Sequence, residues 1–547
     1  MIRVAKKSRM EHQNPISEPM PSVPAKRLVR FTDCFLSQGD ALIRKDLWVL
    51  DGAIVDPMKR WWDSKASSEF LEAQVVFCGG NILAPGFYDI QINGCFGVDF
   101  ACPEDVTAEK LAMAARALLA HGVVAFLPTI ISSSAETYRK LIPRHNAVRR
   151  LLNDSTVNEI TCANTGLESN STSATTTAGR EAQDVTSSLP PPGLTSLPRA
   201  RILGLHLEGP FMNAKKKGAH DAANLKQPTN GFASLLEVYG TLDGVRLVTL
   251  APELDGALEA TAALARMPNG LDGEGGGDED TLWGDSSVGR QEAALCSSSS
   301  GTVNKNEVRE AMEEHSEKND DQSERDPGAS DQQRHHGNHR RQGGRVVVSL
   351  GHTLATFEQG CAAVKSGARL VTHLFNAMPA FHHRDPGLVG LLGAPERCRP
   401  HYSIIADGLH AHPASVKLAS CAHPQGAVLI TDAMGALGLP DGTHTLGNSR
   451  VTVRGIRATL EGSDDTLAGA VVSMADCVRN FMRFTQCSAS EAIQAASGRP
   501  AALLFGEGTL VGTLKPGAPA DLVLLGTHDL AVLKVFRNGH LAWPSPV

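Results

Sequence analysis

Eight apolar runs divide the chain, and each carries a polar residue at or near its end. They are GFYDIQIN (86–93), GVVAFLPT (122–129), ILGLHLEG (202–209), VRLVTLAPE (245–253), RVVVSLGHT (345–353), ARLVTHLFN (368–376), YSIIADGLH (402–410) and AVLITDAM (427–434). Near-continuous Val/Ile/Leu runs suit strands covered on both faces, as in a parallel sheet. Helix-compatible segments separate most of them. Residues 107–122 open on Thr107 after Asp105 and close on Gly122, and 355–367 also close on a glycine. After the last run, MADCVRNFMRF (474–484) and SASEAIQAAS (488–497) read as two helices, with Ser488 and Ser490 suited to N-caps. Strands and helices in this alternation predict an α/β fold, a (β/α)₈ barrel of the TIM type.

The flanks read differently. Residues 28–84 alternate in short segments such as LVRFTDCFL and DLWVLDGAIVD, broken by Gly, Pro and Asp. The same signal returns in GTLKPGAPADLVLLG (512–526) and AVLKVFRNGHLAW (531–543). Two segments too short to fold alone can bury their apolar faces against each other. Residues 28–84 and 508–547 are therefore expected to build one small β-sandwich beside a barrel spanning 85–507. Residues 1–27 are polar and basic and predict a disordered leader.

Two low-complexity stretches interrupt the barrel, at 153–198 and 269–344. Both hold too few large apolar residues to offset the entropy of ordering, which predicts disordered surface insertions. Inside the second, EVREAMEEHSEK (307–318) is expected to form a transient helix. His335, His336 and His339 read as a fortuitous surface cluster, since nothing apolar nearby would fix a metal geometry.

Composition removes several function classes. A net charge of −7 over 547 residues argues against a general nucleic-acid binder, while a locally positive pocket for small anions stays compatible with it. The 11 cysteines are scattered without a CxxC pair, which predicts reduced thiols and a cytoplasmic setting. The first thirty residues lack an apolar signal core, and no stretch reaches the length of a membrane span.

In a barrel of this type chemistry collects at the C-terminal ends of the strands. Those ends carry Gln91, Asn93, Glu208, His352, His373, His410 and Asp432. Glu208 with His352 and His373 makes a set of two imidazoles and one carboxylate. That set suits a divalent ion with an open coordination position, a catalytic rather than a closed structural pattern. Asp432 ends the eighth run, where a carboxylate can exchange protons with an activated water. A helix N-cap or a buried hydrogen-bonded aspartate is the alternative for that residue.

Longer motifs carry a resemblance. They are PGFYDIQINGCFGVDF (85–100), GLHLEGPF followed by KKGAH (204–220), SLGHT (349–353), THLFNAMPAFHHRDPG (372–387), IADGLH (405–410), TDAMGALG (431–438) and TLAG (466–469). The C-terminal GTLKPGAPADLVLL is typical of the wider superfamily. From about Leu28 onward, outside the two insertions, the chain resembles the N-acetylglucosamine-6-phosphate deacetylases of the amidohydrolase superfamily.

The resemblance implies one divalent ion on Glu208, His352 and His373, Zn²⁺ first, with Co²⁺, Fe²⁺ or Mn²⁺ as alternatives. It implies Asp432 as the catalytic acid/base. It implies substrate contacts from Ala219, His220, Asn376, Ala377, Arg384, His410, Thr466, Leu467 and Ala468. His220 would polarise the acetyl carbonyl, and Arg384 with His410 would neutralise the phosphate; the bland alternative for Arg384 is a solvated loop charge. Lys215–Lys217 read as a solvated basic loop. Many amidohydrolases have His-x-His at the first strand end, but this chain has Gln91-x-Asn93. Amides are poor ligands, so a single ion is expected. Cys95, just beyond, reads as a packing residue. The implied substrate is a small phosphosugar and the implied assembly a homodimer, with no nucleic acid or membrane partner. The competing readings are another N-acyl or cyclic-amide hydrolase, of the dihydroorotase kind, and a scaffold acting through its insertions.

Overall fold

The computed structural model describes residues 28–63, 72–162, 197–268, 345–447, 449–463 and 466–544, without the side chains of 154–162. The leader, the whole of 269–344 with its three clustered histidines and expected transient helix, and residues 163–196 lie outside the described residues.

The chain enters through an antiparallel meander of β1 (Leu28–Gln38), β2 (Ala41–Arg44), β3 (Leu47–Leu50) and β4 (Ala53–Val55), followed by the short helix α1 (Pro57–Asp63). Strand β5 (Gln74–Pro85) returns parallel to β1. Only Gly86 separates it from the first barrel strand, β6 (Phe87–Ile92).

Beyond β6 come a minute hairpin, β7 (Gly94–Cys95) with β8 (Val98–Asp99), and helix α2 (Ala108–Ala117). The Thr107 side chain accepts from the Lys110 N–H and caps that helix, as the sequence predicts. Next are β9 (Val123–Ile131), α3 (Ala135–Cys162), β10 (Arg201–Ile202), β11 (Leu205–Glu208), α4 (Phe232–Tyr239), β12 (Val245–Leu250) and α5 (Ala257–Leu264). The helix after β9 continues past Asn153 to Cys162, so the expected first insertion begins later than its composition suggests.

The second half runs β13 (Val347–Leu350), α6 (Phe357–Lys365), β14 (Leu370–Val371), β15 (His401–Ile405), α7 (Pro413–Ala422) and β16 (Ala427–Ile430). Between β14 and β15 a 3₁₀ segment, Gly387–Gly393, stands where a helix is expected. The segment DPGLVGLLGAP is too rich in Gly and Pro to sustain an α-helix.

All eight apolar runs are strands of one parallel sheet, in the order β6-β9-β11-β12-β13-β14-β15-β16. Every residue of β6, β11, β12, β13 and β16 is buried, which is why the runs show little alternation. The seam between the first and eighth strands closes just past their ends. The Asp432 N–H donates to Gln91 O at 2.9 Å, and the Asn93 N–H donates to Ala433 O at 2.7 Å. The Thr431 hydroxyl donates to the buried Asp89 carboxylate at 2.6 Å across the same seam. Burial pushes Asp89 up to about 7.

After β16 the chain builds a feature the sequence reading did not anticipate. β17 (Gly442–Leu446), β18 (Ser449–Arg454) and β19 (Arg457–Leu460) form a separate antiparallel sheet. Its Leu446, Val451, Val453 and Ala458 pack with Met434, Ala436 and Ala468 in a cluster of their own. Helices α8 (Met474–Thr485), α9 (Ala489–Ala496) and α10 (Gly498–Phe505) follow. Ser488 caps α9 in a capping box, but Ser490 does not cap. Its hydroxyl is buried against Ser37 at 2.7 Å and donates to Gly39 O, tying the helix to the β1–β2 turn.

Strands β20 (Leu522–Leu525), β21 (Val532–Arg537) and β22 (His540–Trp543) complete the fold. β20 lies antiparallel to β5, so the two chain ends share a single hydrogen-bonded sheet, β22-β21-β20-β5-β1-β3-β4 with β2 beside β1. This sheet folds over: the Ile54 N–H on edge strand β4 donates to Ala518 O at 2.8 Å, just ahead of β20. The enclosed core holds Phe31, Leu36, Val49, Ile54, Leu522 and Phe536.

Candidate active site

The C-terminal ends of the barrel strands carry an unusual backbone. His352, His373 and Asp432 follow β13, β14 and β16 with φ of 50°, 29° and 49°. Non-glycine residues rarely adopt positive φ, at a cost of about 1–3 kcal/mol each, and such residues concentrate at functional sites. Gly209, directly after Glu208, has φ 87°, and a Cβ there would lie 2.2 Å from Ser132 Oγ. Only glycine lets the chain turn so closely beside that strand end.

Glu208, His352 and His373 converge although they come from three strands. Each offers a ligand atom, and these atoms lie within 4.8 Å of one another. Both imidazole Nε2 atoms approach the same Glu208 Oε1, at 3.2 Å from His352 and 3.1 Å from His373. The two Nε2 atoms are 3.0 Å apart. His352 Nδ1–H donates to Lys216 O at 2.9 Å, which leaves its Nε2 lone pair aimed inward. Burial opposes ionisation of Glu208, yet the two imidazoles hold its carboxyl well below the usual range. Converging lone pairs around one carboxylate oxygen, all buried, fit a divalent cation better than any arrangement of protons.

A polar belt supports this cluster from inside the barrel. His206, two residues before Glu208 on the same strand face, bonds Thr249 Oγ1 at 2.8 Å through Nε2 and Thr129 Oγ1 at 3.2 Å through Nδ1. Burial pushes His206 down to about 4, so it is neutral at pH 7.

Asp432 stands beside the cluster. Gln91 Nε2 donates to both carboxylates, at 3.0 Å to Glu208 and 3.2 Å to Asp432. Asn93 Nδ2 donates to Asp432 Oδ1 at 2.8 Å. Burial, and after it the charge of Glu208, push Asp432 up to about 6. The amides that replace His-x-His therefore act as donors that space and orient two acids. Residue type alone marks them only as weak ligands.

His220 faces the same cavity. The Ser132 N–H donates to His220 Nδ1 at 3.2 Å, and Ser132 Oγ lies 2.9 Å from it. Nδ1 is thus an acceptor, and the neutral ring carries its proton on Nε2. Burial, then His352, pushes His220 down to about 3, so it is a neutral donor throughout the physiological range. His410 Nδ1–H donates to Asp407 Oδ2 at 2.7 Å, which fixes its ring as well.

A cavity of about 390 Å³ joins these groups. Glu208, His352, His373, Asp432, Ala219, His220, Asn376, Ala377, His410, Thr466 and Leu467 all line it. Two expected contacts do not. Ala468 is fully buried in the apolar cluster of the small sheet, and its neighbours Leu467 and Gly469 form the wall. Arg384 is exposed on the loop after β14, next to Phe381 at 62% exposure, and takes no part in the wall. The cavity also gains Ile131 and Leu446, which no sequence motif marked. Of the basic loop, Lys216 donates its Nζ to Met378 O at 2.9 Å and Lys217 its Nζ to His220 O at 3.1 Å, so the loop braces the site. Cys95 is fully buried and packs in the core.

The chain matches the amidohydrolase family over residues 276–542. It is 36% identical over 522 residues to the N-acetylglucosamine-6-phosphate deacetylase of Homo sapiens, covering 94% of this chain and 96% of that one. The chain belongs to the N-acetylglucosamine-6-phosphate deacetylase family. The bovine relative of the same name is 35% identical over 520 residues, with 94% and 96% covered. Among solved structures, the Thermotoga maritima N-acetylglucosamine-6-phosphate deacetylase aligns with a TM-score of 0.60 at 23% identity, covering 94% of this chain and 100% of that one, a likeness of fold. The family is metal-dependent, in keeping with the Glu/His/His cluster.

Proposed function

We propose that the chain hydrolyses the acetamide of N-acetyl-D-glucosamine 6-phosphate to D-glucosamine 6-phosphate and acetate, in amino-sugar catabolism or recycling. One observation carries the reading: Glu208, His352 and His373 present ligand atoms within 4.8 Å of one another in the cavity that Asp432 and His220 also line. A divalent ion, Zn²⁺ first, would be held by those three side chains and would supply Lewis acidity at the scissile carbonyl. Asp432 takes the proton of the attacking water and returns one to the departing amine nitrogen. A carboxyl near 6 is mostly ionised at pH 7 and still basic enough for that exchange. His220 donates its Nε2–H to the carbonyl oxygen as negative charge develops there, a contribution of about 3–4 kcal/mol for one well-placed donor. His410 and Asn376, with the backbone of Ala377 and the Thr466–Leu467 wall, hold the phosphosugar. Binding energy from the distant phosphate orients the reacting amide.

A homodimer in the cytoplasm completes the reading. Arg384, exposed on the loop with Phe381 and outside the cavity wall, would serve the phosphate from a second copy. No described helix is long and apolar enough to cross a membrane. The test is acetate release from the phosphosugar with metal content measured on the same sample. Turnover that tracks the bound ion and drops sharply for the sugar without phosphate is the expected result. Preference for a cyclic amide, or no turnover with an ion bound, would overturn it.

A further inference from the structure

The opposite face of the barrel holds a second concavity, of about 450 Å³, at the N-terminal ends of β13, β14 and β15. Arg345 lies two residues before β13, Arg369 one residue before β14, and Arg397 and Arg399 in the turn before β15. The strand ladder brings the last two strand starts together, since the His401 N–H donates to Arg369 O at 3.0 Å. Arg399 is oriented by its Nε–H, which donates to Ala394 O at 2.8 Å; its terminal nitrogens have no partner among the described residues. All four arginines therefore line one concavity, with a single carboxylate, Glu396, among its lining. Among the described residues none of the four arginines forms an ion pair. Val347 and Val364 add apolar side chains to the lining.

Like charges on one wall repel each other, and an unpaired set in a concave site concentrates anions. Guanidinium forks match phosphoryl oxygens in pairs, whereas a lone carboxylate engages one fork well. The volume is within the range of small-molecule sites. We propose that this face is a binding site for a small phosphorylated anion of charge −2 or more, gripped by Arg345, Arg369, Arg397 and Arg399. It is separate from the catalytic cavity and independent of the reaction assigned there.

The test is calorimetric titration of the full chain with inorganic pyrophosphate at fixed, moderate salt. Arg369→Ser/Arg399→Ser should weaken binding by about tenfold or more while kcat/KM on the phosphosugar stays within about twofold. Arg345→Glu/Arg397→Glu, at two exposed positions, reads the same effect if the first pair fails to fold. His410→Ala controls for pyrophosphate held in the catalytic cavity and should leave this binding in place. The proposal is overturned if both arginine pairs bind as the parent does, if only His410→Ala abolishes binding, or if an acidic peptide binds here and pyrophosphate does not.

Discussion

The same eight strands end in two unlike chemistries. At their C-terminal ends the polar groups are short and buried, and most are tied to one another: Gln91 bridges Glu208 and Asp432, Asn93 grips Asp432, and Ser132 fixes His220. At the N-terminal ends of β13, β14 and β15 the arginines are long, mostly exposed and in no ion pair among the described residues. The first arrangement carries strain at three positive-φ residues and the desolvation of two acids. It persists because each group stabilises the next. The second carries little strain and positions nothing to within tenths of an ångström. A closed network is what reaction geometry requires; an open ring of guanidiniums suffices to collect an anion.

That contrast breaks most sharply at the metal cluster. His373→Ala should lose the tightly held ion and more than about 10³-fold in kcat/KM, because no neighbour can replace a converging ligand. Elemental analysis beside the assay checks it, and full activity without an ion would move the chemistry elsewhere. Asp432→Asn should keep the ion and bind the phosphosugar while kcat falls about 10²–10⁴-fold. A near-normal rate would return Asp432 to its alternative role as a buried structural acid.

Two smaller effects sharpen the comparison. Arg384→Ala should raise KM about tenfold with little change in kcat, if a second copy delivers this exposed side chain to the phosphate. An unchanged KM would leave Arg384 a solvated loop charge. Asn93→Ala should shift the acid limb of the pH profile. Asp432 must be ionised to accept a proton, so activity is present above its pKa and lost as pH falls through it. Burial and Glu208 set that value at about 6, and the Asn93 amide favours the anion. Removing the donor should therefore move the limb upward by up to about one unit and cost at most about twofold at pH 7. A limb that stays in place would show that Asn93 does not tune the acid.

Much of this was legible in the sequence. Burial on both faces writes a strand as an unbroken apolar run, so all eight barrel strands could be read directly. The capping chemistry of Thr107 and Ser488 is local and was equally visible. The small sheet of β17–β19 was missed, although Val451 and Val453 alternate in its middle strand, because three short strands say nothing of what they cover. Ser490 resembled a cap and proved to be a long-range tether. Ala468 lies inside a site motif, yet its side chain packs inward while its neighbours face the cavity. That is a matter of backbone direction, which a motif does not encode.

The sequence by itself determined which side chains stand at the strand ends, because strand identity and side-chain type are properties of neighbouring residues. Tertiary structure decided the rest. Glu208 and Asp432 are far apart in the chain, and barrel closure alone sets them on either side of one Gln91 amide. Which imidazole nitrogen faces the cavity is fixed by distant partners, Lys216 O for His352 and the Ser132 N–H for His220. A proton's position on a ring depends on the group across the fold that accepts or donates to it, and no local pattern carries that information.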